Sequence, residues 1–141
     1  MRQSCLSIPL FVVVIAMTGC GSGLPRVYPV KGTIVNKGKG SVKDLAGYSV
    51  QFESTSEPGE RPGGPIDENG GFTLYTLFKG KAIPGVKEGT YRACVVPPPP
   101  EAGSAPPLVI PARYTKCDTA KLQFEVKPGE NNFTIEIDRG R

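Results

Sequence analysis

Residues 121–138 read KLQFEVKPGENNFTIEID, two runs of alternating apolar and polar side chains on either side of a Pro-Gly pair. In the first run Leu122, Phe124 and Val126 share one face, opposite Lys121, Gln123, Glu125 and Lys127. In the second, Phe133, Ile135 and Ile137 alternate with Thr134, Glu136 and Asp138. A period of two marks a strand with one buried face, because successive side chains point to opposite sides of a sheet. Pro128 presets φ at the second position of a type II turn, and Gly129 accepts positive φ at the third. The stretch therefore predicts a hairpin, and with it an all-β chain.

The same pattern recurs upstream. In YPVKGTIVN, Tyr28, Val30 and Ile34 line one face, with Gly32 leaving room for close approach. GYSVQFES sets Tyr48, Val50 and Phe52 together, and Phe72 and Leu74 follow the tight turn DENG as inward residues. GTYRACVV places Tyr91, Ala93 and Val95 opposite Arg92, Cys94 and Val96. No segment of helical length repeats at 3.6 residues. About seven short strands separated by turns predict an antiparallel Greek-key β-sandwich. Two breaker-rich segments, SEPGERPGGP at 56–65 and PPPPEAGSAPP at 97–107, read as loops. The second is polyproline-like, a stiff spacer or a docking segment.

Composition narrows the function. Eighteen glycines and fifteen prolines in 141 residues suit turns and short strands over long helices. The net charge of +4 is spread over isolated basic residues, without the stripe that nucleic-acid binding needs. There is no histidine, which removes the commonest general base and the commonest metal ligand. The four cysteines, Cys5, Cys20, Cys94 and Cys117, show no Cys-x-x-Cys spacing for zinc. The expectation is a non-catalytic protein without metal or cofactor.

The N-terminus has the three parts of an export signal: Arg2, the apolar stretch 6–17, and the small residues Thr18 and Gly19. The apolar stretch falls short of the ~20 residues that span a bilayer. Met17-Thr18-Gly19-Cys20 resembles the lipobox of bacterial lipoproteins, with methionine in the place usually held by leucine. The resemblance implies removal of residues 1–19 and diacylglyceryl attachment to the Cys20 thiol, usually with a third acyl chain on the new amino group. Two or three chains anchor stably where one does not. Gly21 in place of aspartate implies the outer membrane rather than the inner, with the domain facing the periplasm or the cell surface. Residues 20–26 are then a lipidated flexible tether, 27–138 the folded domain and 139–141 a tail.

Taken in order, VKGTIV, GYSVQF, DENGGFTL, IPGVKEGTYRACVV, IPARY and KPGENNFTIEI resemble small bacterial lipoproteins that carry a carboxypeptidase-regulatory-like, or transthyretin-like, domain. The resemblance runs over about residues 27–137 and implies a prealbumin-type sandwich of seven strands with no catalytic activity. An insertion at 40–45 and the pair Cys94 and Cys117 depart from that pattern. Enzymes of related fold use histidines that this chain lacks.

Few residues remain as site candidates. In an oxidising compartment Cys94 and Cys117 are a candidate disulfide, which would close a loop of about 24 residues and stabilise by ~3 kcal/mol. Two free thiols, or pairing with a partner's cysteine, are the alternatives. DENG supplies too few oxygens for calcium and reads as a plain turn. The function expected is a lipid-anchored envelope module that is structural or binds another envelope protein. The alternative is a carbohydrate- or small-molecule-binding module in which Tyr75 and Tyr114 replace the missing tryptophan as sugar platforms.

Overall fold

The computed structural model describes residues 23–105 and 107–139, and the leader, Cys5 and the lipidation site Cys20 lie outside them. The described chain is all-β. The strands are β1 (Val30–Asn36), β2 (Ser49–Ser54), β3 (Gly63–Pro65), β4 (Gly71–Thr73), β5 (Tyr75–Phe78), β6 (Lys81–Pro84), β7 (Gly89–Val96), β8 (Leu122–Val126) and β9 (Asn131–Ile137). Short 3-10 turns occupy Lys43–Leu45 and Ala112–Thr115. A three-stranded sheet in the order β4-β1-β9 faces a six-stranded sheet in the order β6-β5-β3-β2-β7-β8. All pairings are antiparallel except β1 with β9, which run parallel from Val30↔Asn131 to Asn36↔Ile137.

The core forms where the inward faces meet. Val30 and Ile34 of β1, Ile135 and Ile137 of β9, Val50 and Phe52 of β2, and Tyr91, Ala93 and Val95 of β7 are buried. Phe52 sits at the centre, its ring centroid 5.8 Å from Tyr91, 5.7 Å from Phe124 and 6.1 Å from Phe133. Gly32 leaves β1 bare where the Phe72 ring and the Phe133 carbonyl press on it; a Cβ there would collide with both. The strand faces read from the alternation are thus the observed ones.

The hairpin expected at 121–138 does not form. β8 pairs with β7 in the large sheet, while β9 pairs with β1 in the small one. The chain turns at Pro128-Gly129, where Gly129 has φ of 100°, and crosses between sheets. Phe124 and Phe133 then meet through their rings at 4.9 Å. Both runs bury their apolar faces in one core, so the alternation is common to a hairpin and to an arch between sheets; only the backbone partner differs.

Two strands lie where no strand was expected, β3 at the end of the polar loop 56–65 and β6 at 81–84. The DENG turn starts as a hairpin, with Ile66 bridged to Phe72, and its arms then part to opposite sheets. Leu74 marks the crossing from β4 to β5. Its N–H donates to the Val30 carbonyl of the small sheet, and its own carbonyl accepts from Gly85 beside the large one.

Candidate functional site

A concavity of about 490 Å³ lies over the outer face of the large sheet. Its floor comes from alternate residues of two paired strands, with Gln51 opposite Cys94 and Glu53 opposite Arg92. The segment following the second 3-10 turn forms one wall with Lys116, Cys117 and Asp118, and Arg61 closes the other side.

The wall is fastened by a disulfide. Cys94 and Cys117 are bonded, with a Cα–Cα separation of 4.6 Å. The Cys117 sulfur also rests 3.7 Å from the Gln51 carbonyl, a packing contact, since a bonded sulfur has no hydrogen to donate. Of the pairing alternatives left open by sequence, the structure has the internal bridge.

Charge organises the rest. One Glu53 oxygen accepts from Arg61 at 3.2 Å, and the other lies 3.8 Å from Arg92 Nη2. Arg92 Nε is buried without a hydrogen-bond partner among the described residues. Three cationic side chains, Arg61, Arg92 and Lys116, line the cleft against the carboxylates Glu53 and Asp118. Both cysteines are oxidised, and the Thr115 hydroxyl donates to the Ala112 carbonyl at 2.8 Å. The arrangement suits recognition of polar or anionic groups through charge-assisted hydrogen bonds.

A second charged cluster pins the loop 56–65. Lys87 Nζ lies 2.7 Å from Glu60 and 3.2 Å from Glu57. Hydrogen bonds to Glu60 and then Glu57 raise its pKa above the ordinary lysine value. Beneath it, the Tyr91 hydroxyl donates to the Lys87 carbonyl at 3.1 Å. Burial first, and then the charges of Glu60 and Glu57, push that phenol up to about 12.

Other candidates from sequence fall as follows. Asp67 of DENG spends one oxygen on its own turn, accepting from Asn69 and Gly71 N–H groups at 2.8 Å. Tyr114 is not a sugar platform. It is buried, and its hydroxyl accepts from Asp138 N–H at 2.9 Å and Arg113 at 3.1 Å, which ties the second 3-10 turn to the end of β9. Tyr75 does stand at the surface, 39% exposed on β5. Glu53, Arg61 and Arg92 were not singled out from sequence, because the cleft exists only through the β2–β7 register. The outward alternation of GYSVQFES and GTYRACVV was the one available signal.

Comparisons with protein-family models, with curated proteins and with solved structures find no match for this chain.

Proposed function

We propose that this chain is a lipid-anchored lipoprotein of the cell envelope, whose sandwich is a non-catalytic module for binding another envelope component. The observation that carries the reading is the series apolar stretch, Met17-Thr18-Gly19, Cys20, Gly-Ser-Gly, which ends where the domain begins. The Cys94–Cys117 disulfide supports it, since such bonds persist in oxidising, exported compartments. Two packed sheets of short strands suit a Greek-key sandwich of the transthyretin-like, carboxypeptidase-regulatory-like kind. The outer membrane is the favoured site, on the strength of Gly21.

Intact-mass measurement on protein taken from its native membrane tests the reading. The expected species starts at Cys20 and carries acyl chains there, while Cys20→Ala keeps residues 1–19 and no acyl mass. Native material without acyl mass overturns it.

One observation favours a second reading, a carbohydrate- or small-molecule-binding module. The cleft holds an excess of cations and a buried guanidinium nitrogen without a partner, as a site for an acidic sugar or small anion would. Binding to acidic glycans on an array, lost in Arg92→Ala, would establish it; a blank array rejects it.

A further inference from the structure

The β5–β6 end of the large sheet carries exposed apolar side chains on one face and partly buried ones on the other. β6 is its edge strand, and none of the four β6 residues is fully buried. Among the described residues, five large apolar side chains are exposed, and three belong here: Leu24 at 61%, Tyr75 at 39% and Leu77 at 74%. The register places Tyr75 with Pro84 and Leu77 with Ala82 on one face, and Phe78 with Lys81 and Thr76 with Ile83 on the other. On that second face Phe78 and Ile83, with Gly23 and Leu24, wall a groove of about 280 Å³. Single exposed apolar residues are ordinary, but three gathered at one edge of a sheet are not.

The charges carried by the hairpin itself are of one sign. Lys79 and Lys81 flank Gly80 at the tip, where φ of 47° at Lys79 and 77° at Gly80 makes the two-residue turn that matches strand twist. Lys79 Nζ lies 5.3 Å from the Phe78 ring centroid. Residues 75–85 contain no acidic side chain, and neither lysine is ion-paired among the described residues.

The path of the chain says what covers the patch. Gly23 borders the groove. Three residues of extended chain reach at most about 11 Å, so Cys20 stays within that distance of Gly23. Acyl chains on Cys20 would hold the bilayer surface beside the hairpin. We infer that the β5–β6 hairpin seats on an anionic phospholipid surface, with Leu77 and Phe78 in the acyl boundary and Lys79 and Lys81 at the phosphates. The inference rests on acylation of Cys20 and fixes how the module stands, with the hairpin toward the bilayer. Lysines bury their stems in the apolar layer and keep their ammonium groups at the headgroups. Each is expected to raise the seated population about fivefold on an anionic surface.

The chain has no tryptophan, so an introduced one reports alone. Mature protein purified in its acylated form as Leu77→Trp, with Tyr75→Trp as a second reporter, is placed in vesicles of phosphatidylcholine and phosphatidylglycerol containing brominated lipid. The expected result is a blue-shifted, bromine-quenched emission from both, and none from Leu108→Trp, an exposed site away from the hairpin. Lys79→Gln with Lys81→Gln should reduce the quenching in anionic vesicles to the level seen in neutral ones. Intact mass on the same samples separates the two readings. Acylated protein with an unquenched hairpin overturns the seating alone, and absence of acyl mass overturns both. A blue shift without vesicles that grows with protein concentration gives the patch to a second copy, and also overturns the seating.

Discussion

Arg139 grips Asp44 across 95 residues of chain, with Nη1 donating to Oδ2 at 2.8 Å and Nη2 donating to Oδ1 at 2.9 Å. Asp44 stands in the first 3-10 turn, Lys43–Leu45. Arg139 belongs to the residues expected to form a tail. Its side chain is only 15% exposed and reaches the Ser41 carbonyl as well. The segment 40–45 thus has a structural role: it clamps the chain just past β9.

The clamp should be visible in acid. The hydrogen bond from Arg139 is the main cause holding the Asp44 carboxyl below its ordinary 3.8; partial burial opposes, and the guanidinium charge adds to the lowering. A depressed carboxyl stabilises the fold fully above its unfolded pKa and loses that contribution as pH falls through the folded value. Asp44 is half exposed, so solvent screening keeps the pair to about 0.5 kcal/mol. Asp44→Asn should lower unfolding free energy by that amount at neutral pH, and the difference should shrink at an acid pH well below the ordinary 3.8. Urea titrations at both pH values check this, and a difference unchanged in acid contradicts it.

Reduction should weaken the domain and loosen one wall of the cleft. The Cys94–Cys117 bond closes a separation of 23 residues, worth ~3 kcal/mol in the chain-entropy account. Cys94→Ser with Cys117→Ser should lose about that much stability. Added reductant should destabilise the native chain equally and leave the double variant unmoved. A reductant effect on the variant would show that the bond is not the cause.

Gly32 carries a sharper steric demand. A Cβ at that position runs into the Phe133 backbone carbonyl and the Phe72 ring, neither of which is the free end of a flexible side chain. Gly32→Ala should cost about 3 kcal/mol through overpacking. Gly38→Ala is the control, because its nearest neighbours are Asn36 side-chain atoms at 3.8 and 3.9 Å. That change should stay within about 0.5 kcal/mol. Equal denaturation midpoints for the two variants would refute the close packing at Gly32.

Why Gly32 was legible while the partner of β8 was not follows from the range of each signal. The inward faces of Val30, Ile34, Val50, Phe52, Phe72, Leu74, Tyr91, Ala93 and Val95 are local, set by alternation within a few residues, and the structure buries them all. Pairing is non-local, and nothing in the run around Phe124 distinguishes β7 from β9 as its neighbour. β3 escaped notice because Gly63 and Gly64 have no side chains to alternate, and β6 because Pro84 closes a short run. The cleft shares this difficulty. Glu53 meets Arg92 only once β2 and β7 are in register, and Arg61 only once the loop before β3 folds back. Tyr114 was read as surface for want of any pattern around it; its hydroxyl instead satisfies the backbone at Asp138.

The arch that replaced the expected hairpin depends on one amide. Asn131 Oδ1 accepts from Lys127 N–H at 2.9 Å, and Nδ2 donates to the carbonyls of Lys127 at 2.9 Å, Gly129 at 3.1 Å and Pro29 at 3.4 Å. The side chain therefore does at the Pro128-Gly129 turn what cross-strand backbone pairing does in a hairpin, and it is 8% exposed. Asn131→Ala should cost about 2 kcal/mol by leaving these groups without their partner. Asn131→Asp should cost more at neutral pH, because a carboxylate can replace the acceptor but turns a negative charge toward three carbonyl oxygens. Only the protonated acid can donate, so the introduced carboxyl titrates above its ordinary ~3.9 in the fold. Its penalty is then absent below that ordinary value and grows as pH rises through the folded one. Denaturation of the two variants across this range should cross, with aspartate the less stable at neutral pH and the more stable in acid. Parallel curves would mean that the donated hydrogen bonds contribute nothing, and that the arch is held by the contact of Phe124 with Phe133 alone.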